Sequence, residues 1–249
     1  VPGQEYICFE LLKRAKATGM NVLVVTVDIP IPSRRLRDLR NDFTMPFKMT
    51  PKNIWDIARK PNWALATLVN GKPRFENMAP YIDDAAAGKS LNTAQALQVS
   101  PKLDKDLMRR IRADWDGPML IKGALSAKSA ETAKRIGADG IIVSNHGGRQ
   151  LDSAPSTIEA LPRVVEAAGD GMTIMLDSGV RTGGDIVKAF CLGAEFVFSG
   201  RSFVFGVGAL GEAGGQHVLD MFATEVDITL AQIGCTTMAE LNSDYLWDS

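Results

Sequence analysis

The chain has 249 residues, 45% of them hydrophobic and 23% charged, and its 28 Lys and Arg nearly balance 29 Asp and Glu. This composition excludes a disordered chain, collagen and a disulfide-rich scaffold, and its near-neutral charge gives no indication of nucleic-acid binding. The three cysteines form no C-x-x-C motif, so we expect reduced thiols in the cytoplasm.

Short apolar segments alternate with helical segments along most of the chain. The sequence predicts a helix over residues 10–18 and a strand over 21–28. Four further strands are predicted at 119–122, 140–144, 173–176 and 195–199. The helices that follow them are predicted at 127–136, 155–168, 183–191 and in a long run that ends at 233. Apolar runs followed by amphipathic helices are typical of parallel strands covered on both faces.

A long interruption separates the first predicted strand from the others. Residues 29–105 are rich in Pro, Asn, Lys and Arg, and their periodicity is weak, with short helices predicted near 52–60 and 101–114. Because so long a connection inside a compact domain is usually functional or mobile, we expect a mobile loop inserted in a single domain that spans residues 1–249.

Polar groups follow every predicted strand at its C-terminal end, which is where active sites of parallel sheets and barrels lie. These strand ends are Thr26-Val27-Asp28 with Arg35 downstream, Lys122-Gly123, the stretch from Ser144 to Arg149, the stretch from Asp177 to Arg181, and Ser199-Gly200-Arg201. The sequence therefore predicts one site at this edge of the sheet.

The two histidines have different surroundings. His146 follows a strand and precedes Gly147-Gly148, and imidazole is the usual base near neutral pH, so we expect a catalytic role. His217 falls within a helical run, which favours a surface position. Asp28 could orient a protonated histidine or cap the following turn. Lys122 ends an apolar strand, where a charge needs a partner, and a structural ion pair is the alternative to a functional role.

The last two strand ends indicate a phosphate site. Asp177-x-Gly179-x-Arg181 precedes Gly183-Gly184, and Gly200-Arg201 repeats the combination of glycine and arginine. Backbone N–H groups at helix N-termini favour anions, and barrel enzymes often bind phosphate after strands seven and eight.

Another glycine motif imitates a dinucleotide site. Gly206-x-Gly208-x-x-Gly211 matches the fingerprint, but it follows the Gly200-Arg201 turn without room for a further strand. We therefore expect no Rossmann site. The chain also lacks H-E-x-x-H and paired C-x-x-C motifs, so no metal site is expected.

The segment Ser144-Asn-His-Gly-Gly-Arg-Gln-Leu-Asp152 resembles the signature of the FMN-dependent α-hydroxy-acid oxidases and dehydrogenases. The other strand-end motifs follow in that family's order. The segments at 230–235 and 244–246 resemble the bacterial mandelate and L-lactate dehydrogenase branch more than glycolate oxidase. The resemblance implies an α/β fold, a (β/α)8 TIM barrel of the FMN-linked type with FMN at its top.

The resemblance also implies roles for individual residues. His146 would remove a proton as the substrate is oxidised, and Asp28 would stabilise the imidazolium. Arg149 would pair with the substrate carboxylate, Arg35 would support the substrate site, and Lys122 would stabilise negative charge at the flavin N1 side. Contacts with the flavin ring are implied for Thr26 and Ser144, and contacts with the ribityl phosphate for Asp177, Gly179, Arg181, Gly200 and Arg201.

The implied activity is oxidation of an (S)-2-hydroxy acid, of the lactate or mandelate class, to the 2-oxo acid. A quinone is favoured over oxygen as electron acceptor. One alternative is a different FMN-barrel dehydrogenase, against which the motif from His146 to Arg149 argues. The other is a non-catalytic flavin-binding fragment.

The family pattern requires three strands before residues 21–28, and five strands cannot close an eight-stranded barrel. We therefore expect the chain to supply about the last five strands of a larger enzyme, as its C-terminal portion. The resemblance also implies a homo-oligomer, a tetramer.

Residues 31–75 combine basic charge with aromatic side chains. They contain ten Lys and Arg against three Asp, with Trp55, Trp63, Phe43, Phe47 and Met45 interleaved. Such a segment can lie on an anionic membrane surface, as the mandelate dehydrogenase branch implies, which would make the protein peripheral on the inner face of the cell membrane. A solvated loop that closes over the active site is the alternative.

Overall fold

A computed structural model of the chain describes residues 5–31, 33, 35–41, 49–71, 76–81 and 103–247. The chain divides into two compact units, one formed from residues 1–19 and 30–102 and the other from residues 20–29 and 103–249. Phe43, Met45 and Phe47 of the basic segment lie outside the described residues, as do Arg34, Lys48, Lys72 and Arg74. The mobility expected for 29–105 stays a prediction.

The first unit is helical in the part that the structure describes. Its helices are α1 (Glu5–Ala17), α2 (Leu36–Arg40), α3 (Pro51–Ala58) and α4 (Pro61–Asn70). Helix α3 begins where the Thr50 hydroxyl accepts the Asn53 N–H, with Pro51 in the first turn, and it confirms the helix predicted near 52–60. Helix α4 was not predicted because its apolar residues show no clear helical periodicity.

The second unit contains a parallel sheet. Its strands are β1 (Leu23–Thr26), β2 (Met119–Lys122), β3 (Gly140–Val143), β4 (Thr173–Leu176) and β5 (Phe196–Val197), and neighbours in sequence are neighbours in the sheet. All five predicted strands are confirmed, although β1 and β5 are shorter than predicted. Consecutive parallel strands joined by helices are the arrangement of a (β/α)8 barrel, of which the chain supplies five strands.

Six helices follow in this unit, in the described residues from 103 onward. They are α5 (Lys105–Asp114), α6 (Ala127–Ile136), α7 (Thr157–Ala168), α8 (Gly183–Cys191), α9 (Arg201–Leu210) and α10 (Gly214–Ile233). The predicted bounds of α6 and α8 are confirmed. The long run predicted to end at 233 is divided into α9, a 3-10 turn and α10.

The core lies around the central strands. Ile141 and Ile142, which point to opposite faces of β3, are 0% and 3% exposed, and Leu161 and Val164 of α7 are fully buried. Side chains on both faces of this strand are therefore covered, as the continuous apolar run predicts. The carboxyl ends of all five strands meet at one edge, which places the polar residues after them close together.

The glycine motif at 206–211 serves helix packing. Gly206 and Gly208 lie within α9, and Gly211 begins the 3-10 turn Gly211–Ala213. A Cβ atom at Gly206 would overlap Val218 and the Gly214 carbonyl, so α9 and α10 touch through their backbones. These glycines therefore lie within a helix and the turn after it, rather than at the strand-to-helix turn that a dinucleotide fingerprint occupies.

Candidate active site

Asp28 and His146 form a hydrogen-bonded pair at the carboxyl edge of the sheet. Asp28 follows β1, and His146 opens a 3-10 turn, His146–Gly148, after β3. The imidazole Nδ1 lies 3.0 Å from Asp28 Oδ1, and the two side chains are 27% and 9% exposed. Because an ionised carboxylate only accepts hydrogen bonds, Nδ1 is the donor, which leaves the Nε2 lone pair to accept a proton.

Gly123 makes room for Asp28. Its φ of +111° favours glycine, and a Cβ atom there would lie 2.6 Å from the Asp28 Cβ. A side chain on the loop after β2 would therefore displace the carboxylate on the loop after β1. The pair Lys122-Gly123 positions the acid as well as the lysine.

Lys122 is held by two carboxylates and a buried hydroxyl. Its Nζ lies 2.9 Å from Asp177 Oδ2, 3.6 Å from Asp28 Oδ2 and 2.7 Å from Ser144 Oγ. Ser144 is fully buried and donates its own hydroxyl proton to Asp177 at 2.7 Å. The partner that a charge at this strand end needs is present, and the ion pairs join the end of β2 to the loops after β1 and β4.

The pKa of Asp177 is lowered. Burial alone would raise this pKa, but the Lys122 and Ser144 hydrogen bonds and the Lys122 charge together outweigh burial, so the pKa lies below its usual value of 3.8. Since the folded-state pKa is below the unfolded one, Asp177 stabilises the fold above the unfolded pKa. That contribution is lost as pH falls through the folded pKa. The carboxylate is thus ionised near neutral pH and retains Lys122.

The turn after β3 has an unusual backbone. His146, Gly147 and Gly148 all have positive φ, at 57°, 66° and 72°. Asn145 stabilises the turn because its Oδ1 accepts the Gly148 N–H at 3.1 Å, while its amide donates to the Pro155 carbonyl. Glycine at two of the three positions lowers the steric cost of this conformation.

The two helix N-termini near the predicted phosphate site differ. At α8 the Asp185 carboxylate accepts the N–H groups of Arg181 and Thr182, and Glu225 of α10 accepts the Gly183 N–H at 2.6 Å. The Gly183 N–H, expected to be exposed, is therefore occupied by a carboxylate from within the chain. Its partner lies 42 residues away, which the local sequence could not reveal.

Helix α9 has the more open N-terminus. Gly200 is its N-cap and makes no side-chain capping hydrogen bond, and no atom would lie within 4 Å of a Cβ at Gly200 or Gly179. Arg181 and Arg201 are both exposed, and the Arg201 guanidinium donates to the Gly147 carbonyl. The start of α9 is therefore less occupied by groups of the chain itself than the start of α8.

The remaining predicted residues lie in different places. Thr26 ends β1 and pairs in register with Lys122, while Arg149 is exposed just after the His146 turn. Arg35 belongs to the first unit, where its guanidinium is 4.0 Å from Asp38. His217 is exposed on α10, as predicted for a surface histidine. Sequence reasoning missed Ser178, Asn145 and Glu225.

A histidine, a lysine and two carboxylates thus lie together at the carboxyl edge of this parallel sheet. The model of the FMN-dependent dehydrogenase family matches residues 1–248, and the chain belongs to that family. The resemblance inferred from the sequence is thereby confirmed.

Curated relatives include two bacterial L-lactate dehydrogenases. That of Pseudomonas syringae pv. syringae is 39% identical over 236 residues, covering 94% of this chain and 62% of the relative. That of Vibrio parahaemolyticus is 39% identical over 237 residues, covering 95% and 62%. The chain therefore spans about three fifths of the length of the relatives it matches.

Solved structures agree with this assignment. The monotopic membrane protein (S)-mandelate dehydrogenase matches with a TM-score of 0.88 and 38% identity, covering 96% of this chain and 63% of that one. A mandelate oxidase matches with a TM-score of 0.72 and 32% identity, covering 96% and 59%.

Proposed function

We propose that the protein to which this chain belongs oxidises an (S)-2-hydroxy acid of the lactate or mandelate class to the 2-oxo acid. The observation that carries the proposal is the Asp28–His146 pair, whose geometry leaves Nε2 free to accept a proton at the carboxyl edge of the sheet. The named activities of the L-lactate dehydrogenase and mandelate dehydrogenase relatives support the same substrate class.

The described residues fit FMN. The uncapped start of α9, the open space at Gly179 and Gly200 and the guanidinium groups of Arg181 and Arg201 suit a phosphate. The Lys122 ammonium, with Thr26 and Ser144 beside it, suits the polar side of a flavin ring that gains negative charge. The Asp177 carboxylate pairs with Lys122, so its implied contact with the ribityl phosphate stays a prediction. The residues named here would hold FMN, which would supply the acceptor for the two electrons that leave the substrate.

In this mechanism the His146 Nε2 takes the proton that the substrate releases. Asp28 holds the ring through Nδ1 and stabilises the imidazolium that forms, which is the role of the acid in other histidine–carboxylate pairs. Arg149 binds the substrate carboxylate with its planar guanidinium. The role implied for Arg35, which belongs to the first unit, stays a prediction. Lys122 keeps a positive charge in place because Asp177 and Ser144 hold it.

An anaerobic titration tests the proposal. The protein purified with FMN is expected to lose its flavin absorbance on addition of (S)-lactate or (S)-mandelate, and to keep it with the (R)-enantiomers. Reoxidation by a quinone faster than by oxygen would support the dehydrogenase assignment. Bound flavin that no 2-hydroxy acid reduces would contradict the proposal and favour the non-catalytic alternative. Reduction by a nucleotide-type substrate instead would favour another FMN-barrel dehydrogenase.

We also propose that the first unit contacts a membrane surface. Helices α3 and α4 expose large apolar side chains, and α4 buries none of its residues. These side chains are Ile54, Trp55, Trp63, Leu65, Leu68 and Val69. Lys52, Arg59 and Lys60 are exposed on or beside the same helices. In the described residues no helix is long and apolar enough to cross a membrane. A basic, apolar surface suits anionic lipid on the inner face of the membrane.

Substitution of Trp63 with Ser is expected to weaken binding to vesicles that contain anionic lipid by about tenfold, because burial of a large apolar side chain is lost. Trp247→Ser is the matched control, since Trp247 is 93% exposed in the second unit. Co-sedimentation at low and high salt measures the effect, and salt should weaken wild-type binding. Binding unaffected by Trp63→Ser and by salt would contradict membrane contact. A Trp63→Ser variant altered only in substrate KM would favour the lid alternative.

We propose a homotetramer as the assembly. Helix α9 buries none of its residues and exposes Val204, Phe205, Val207 and Leu210, an apolar surface that suits contact with further protein. Mass photometry of the purified protein distinguishes a tetramer from a monomer.

A further inference from the structure

Two residues other than glycine have positive φ in the part of the chain that the structure describes. They are His146, at 57°, and Ser178, at 83°. His146 lies on the loop after β3 and Ser178 on the loop after β4, so both belong to the proposed active site. A side chain at positive φ is strained, and such strain persists only where surrounding contacts maintain it.

The contacts that maintain Ser178 lead directly to the histidine turn. Its Oγ accepts the Gly147 N–H at 2.9 Å, which joins the two strained loops. Its carbonyl accepts the hydroxyl of Thr157, a buried residue in the first turn of α7, also at 2.9 Å. Ser178 is thus fixed to a helix on one side and holds the residue after His146 on the other.

Backbone geometry alone does not explain a serine at this position. Glycine adopts a φ of 83° without the steric cost that serine bears. The feature that distinguishes serine here is its hydroxyl, and that hydroxyl accepts the Gly147 N–H. The hydrogen bond therefore offsets a conformation that serine otherwise avoids.

The His146 ring depends on this turn for its position. The imidazole ring makes a hydrogen bond from Nδ1 to Asp28, and the turn that carries the ring is fixed by several backbone contacts. Ser144 Oγ accepts the His146 N–H at 3.1 Å, Arg201 donates to the Gly147 carbonyl, and Ser178 accepts the Gly147 N–H. The Gly147 N–H belongs to the peptide bond that joins Gly147 to His146, so loss of the Ser178 contact removes the hydrogen bond on the N–H side of that peptide.

We propose that Ser178 is a positioning residue for His146: its hydroxyl fixes the Gly147 peptide and thereby keeps the imidazole in line with Asp28. Its kinetic consequence rests on the proposed function, in which His146 is the base. Its structural consequence does not, and can be measured without turnover.

Nuclear magnetic resonance of the FMN-loaded chain labelled with 15N-histidine tests the structural consequence. The chain has only two histidines, and His217→Gln identifies the His146 signals. In the wild type we expect an Nδ1 proton protected by Asp28. In Ser178→Gly and Ser178→Ala we expect this proton to exchange rapidly with water. Rapid exchange in both variants would assign the loss of protection to the missing hydroxyl, because glycine relieves the strain at φ 83° whereas alanine retains it.

Ser126→Ala is the matched control, since the Ser126 hydroxyl also accepts a backbone N–H, that of Ser129, but at the start of α6. This control should lower the melting temperature and leave the His146 proton protected. Ser178→Gly should keep or raise the melting temperature. A protected Nδ1 proton in both Ser178 variants would overturn the proposal.

Kinetics test the second consequence. Ser178→Gly is expected to lower kcat by about 100-fold, with KM and FMN affinity little changed, because a displaced base slows the chemical step rather than binding. The primary isotope effect with substrate deuterated at the α-carbon should rise. An unchanged kcat per bound flavin would overturn the proposal. If the wild type itself oxidises no 2-hydroxy acid, the proposed function fails, while the resonance measurement still decides the role of Ser178.

Discussion

Replacement of His146 with Gln is expected to slow flavin reduction by an (S)-2-hydroxy acid by at least about 10²- to 10⁴-fold while FMN stays bound. A positioned general base contributes an effect of this size, and glutamine cannot accept the substrate proton. Nε2 is the free nitrogen because Asp28 occupies Nδ1 at 3.0 Å. Stopped-flow absorbance under anaerobic conditions measures the rate for each variant at saturating substrate.

His217→Gln provides the matched control for this substitution. His217 is exposed on α10, so its replacement should leave the reduction rate within about twofold of the wild type. A His146→Gln variant that reduces its flavin at the wild-type rate would exclude His146 as the base. Loss of flavin from that variant would assign His146 to cofactor binding instead.

Substitution of Lys122 with Met is expected to lower the free energy of unfolding by about 3 kcal/mol at pH 7, since removal of one partner leaves largely buried carboxylates uncompensated. The side chains of Lys122, Asp28 and Asp177 are only 23%, 9% and 19% exposed. FMN affinity should fall as well, because the cation proposed to face the flavin is gone. Urea unfolding and flavin fluorescence measure the two effects.

The loss of stability should depend on pH in a defined direction. In the wild type the pKa of Asp177 is lowered, and the causes of lowering depend largely on Lys122, whereas burial raises this pKa. Without the lysine, burial dominates and the folded-state pKa rises. The deficit is therefore greatest at neutral pH and shrinks as pH falls toward 4, where the variant can protonate Asp177. An equal loss of unfolding free energy at pH 4 and pH 7 would contradict this pH dependence. Lys128→Met, at an exposed position on α6, is the control.

The sequence predicted the elements that carry their own local signal. Strand β2 and helix α8 have the predicted bounds, because an apolar run and a Thr182 capping box mark them within a few residues. The site could be located for the same reason, since the chemistry lies at strand ends. Asp28, Lys122 and His146 are far apart in the chain, and parallel strands bring them to one edge.

Features that depend on tertiary contacts were missed. Glu225 occupies the start of α8 because α10 packs there, and Gly183 alone gives no sign of that partner. The ion pair between Asp177 and Lys122 depends on the side-chain conformations of both residues, which the sequence motif around Asp177 does not predict. Ser178 was overlooked because it stands between two recognisable residues, and only its backbone angle shows that it is unusual.

The close approach of Gly123 to Asp28 has a consequence for protein engineering. Transplantation of the histidine–aspartate pair into another parallel barrel requires three strands rather than two, because the loop after the middle strand must lack a side chain. An alanine at that position would push the acid away from the imidazole while every residue with recognised chemistry remained in place. We expect such designs to be inactive although their catalytic residues are complete. Replacement of the alanine with glycine should restore activity.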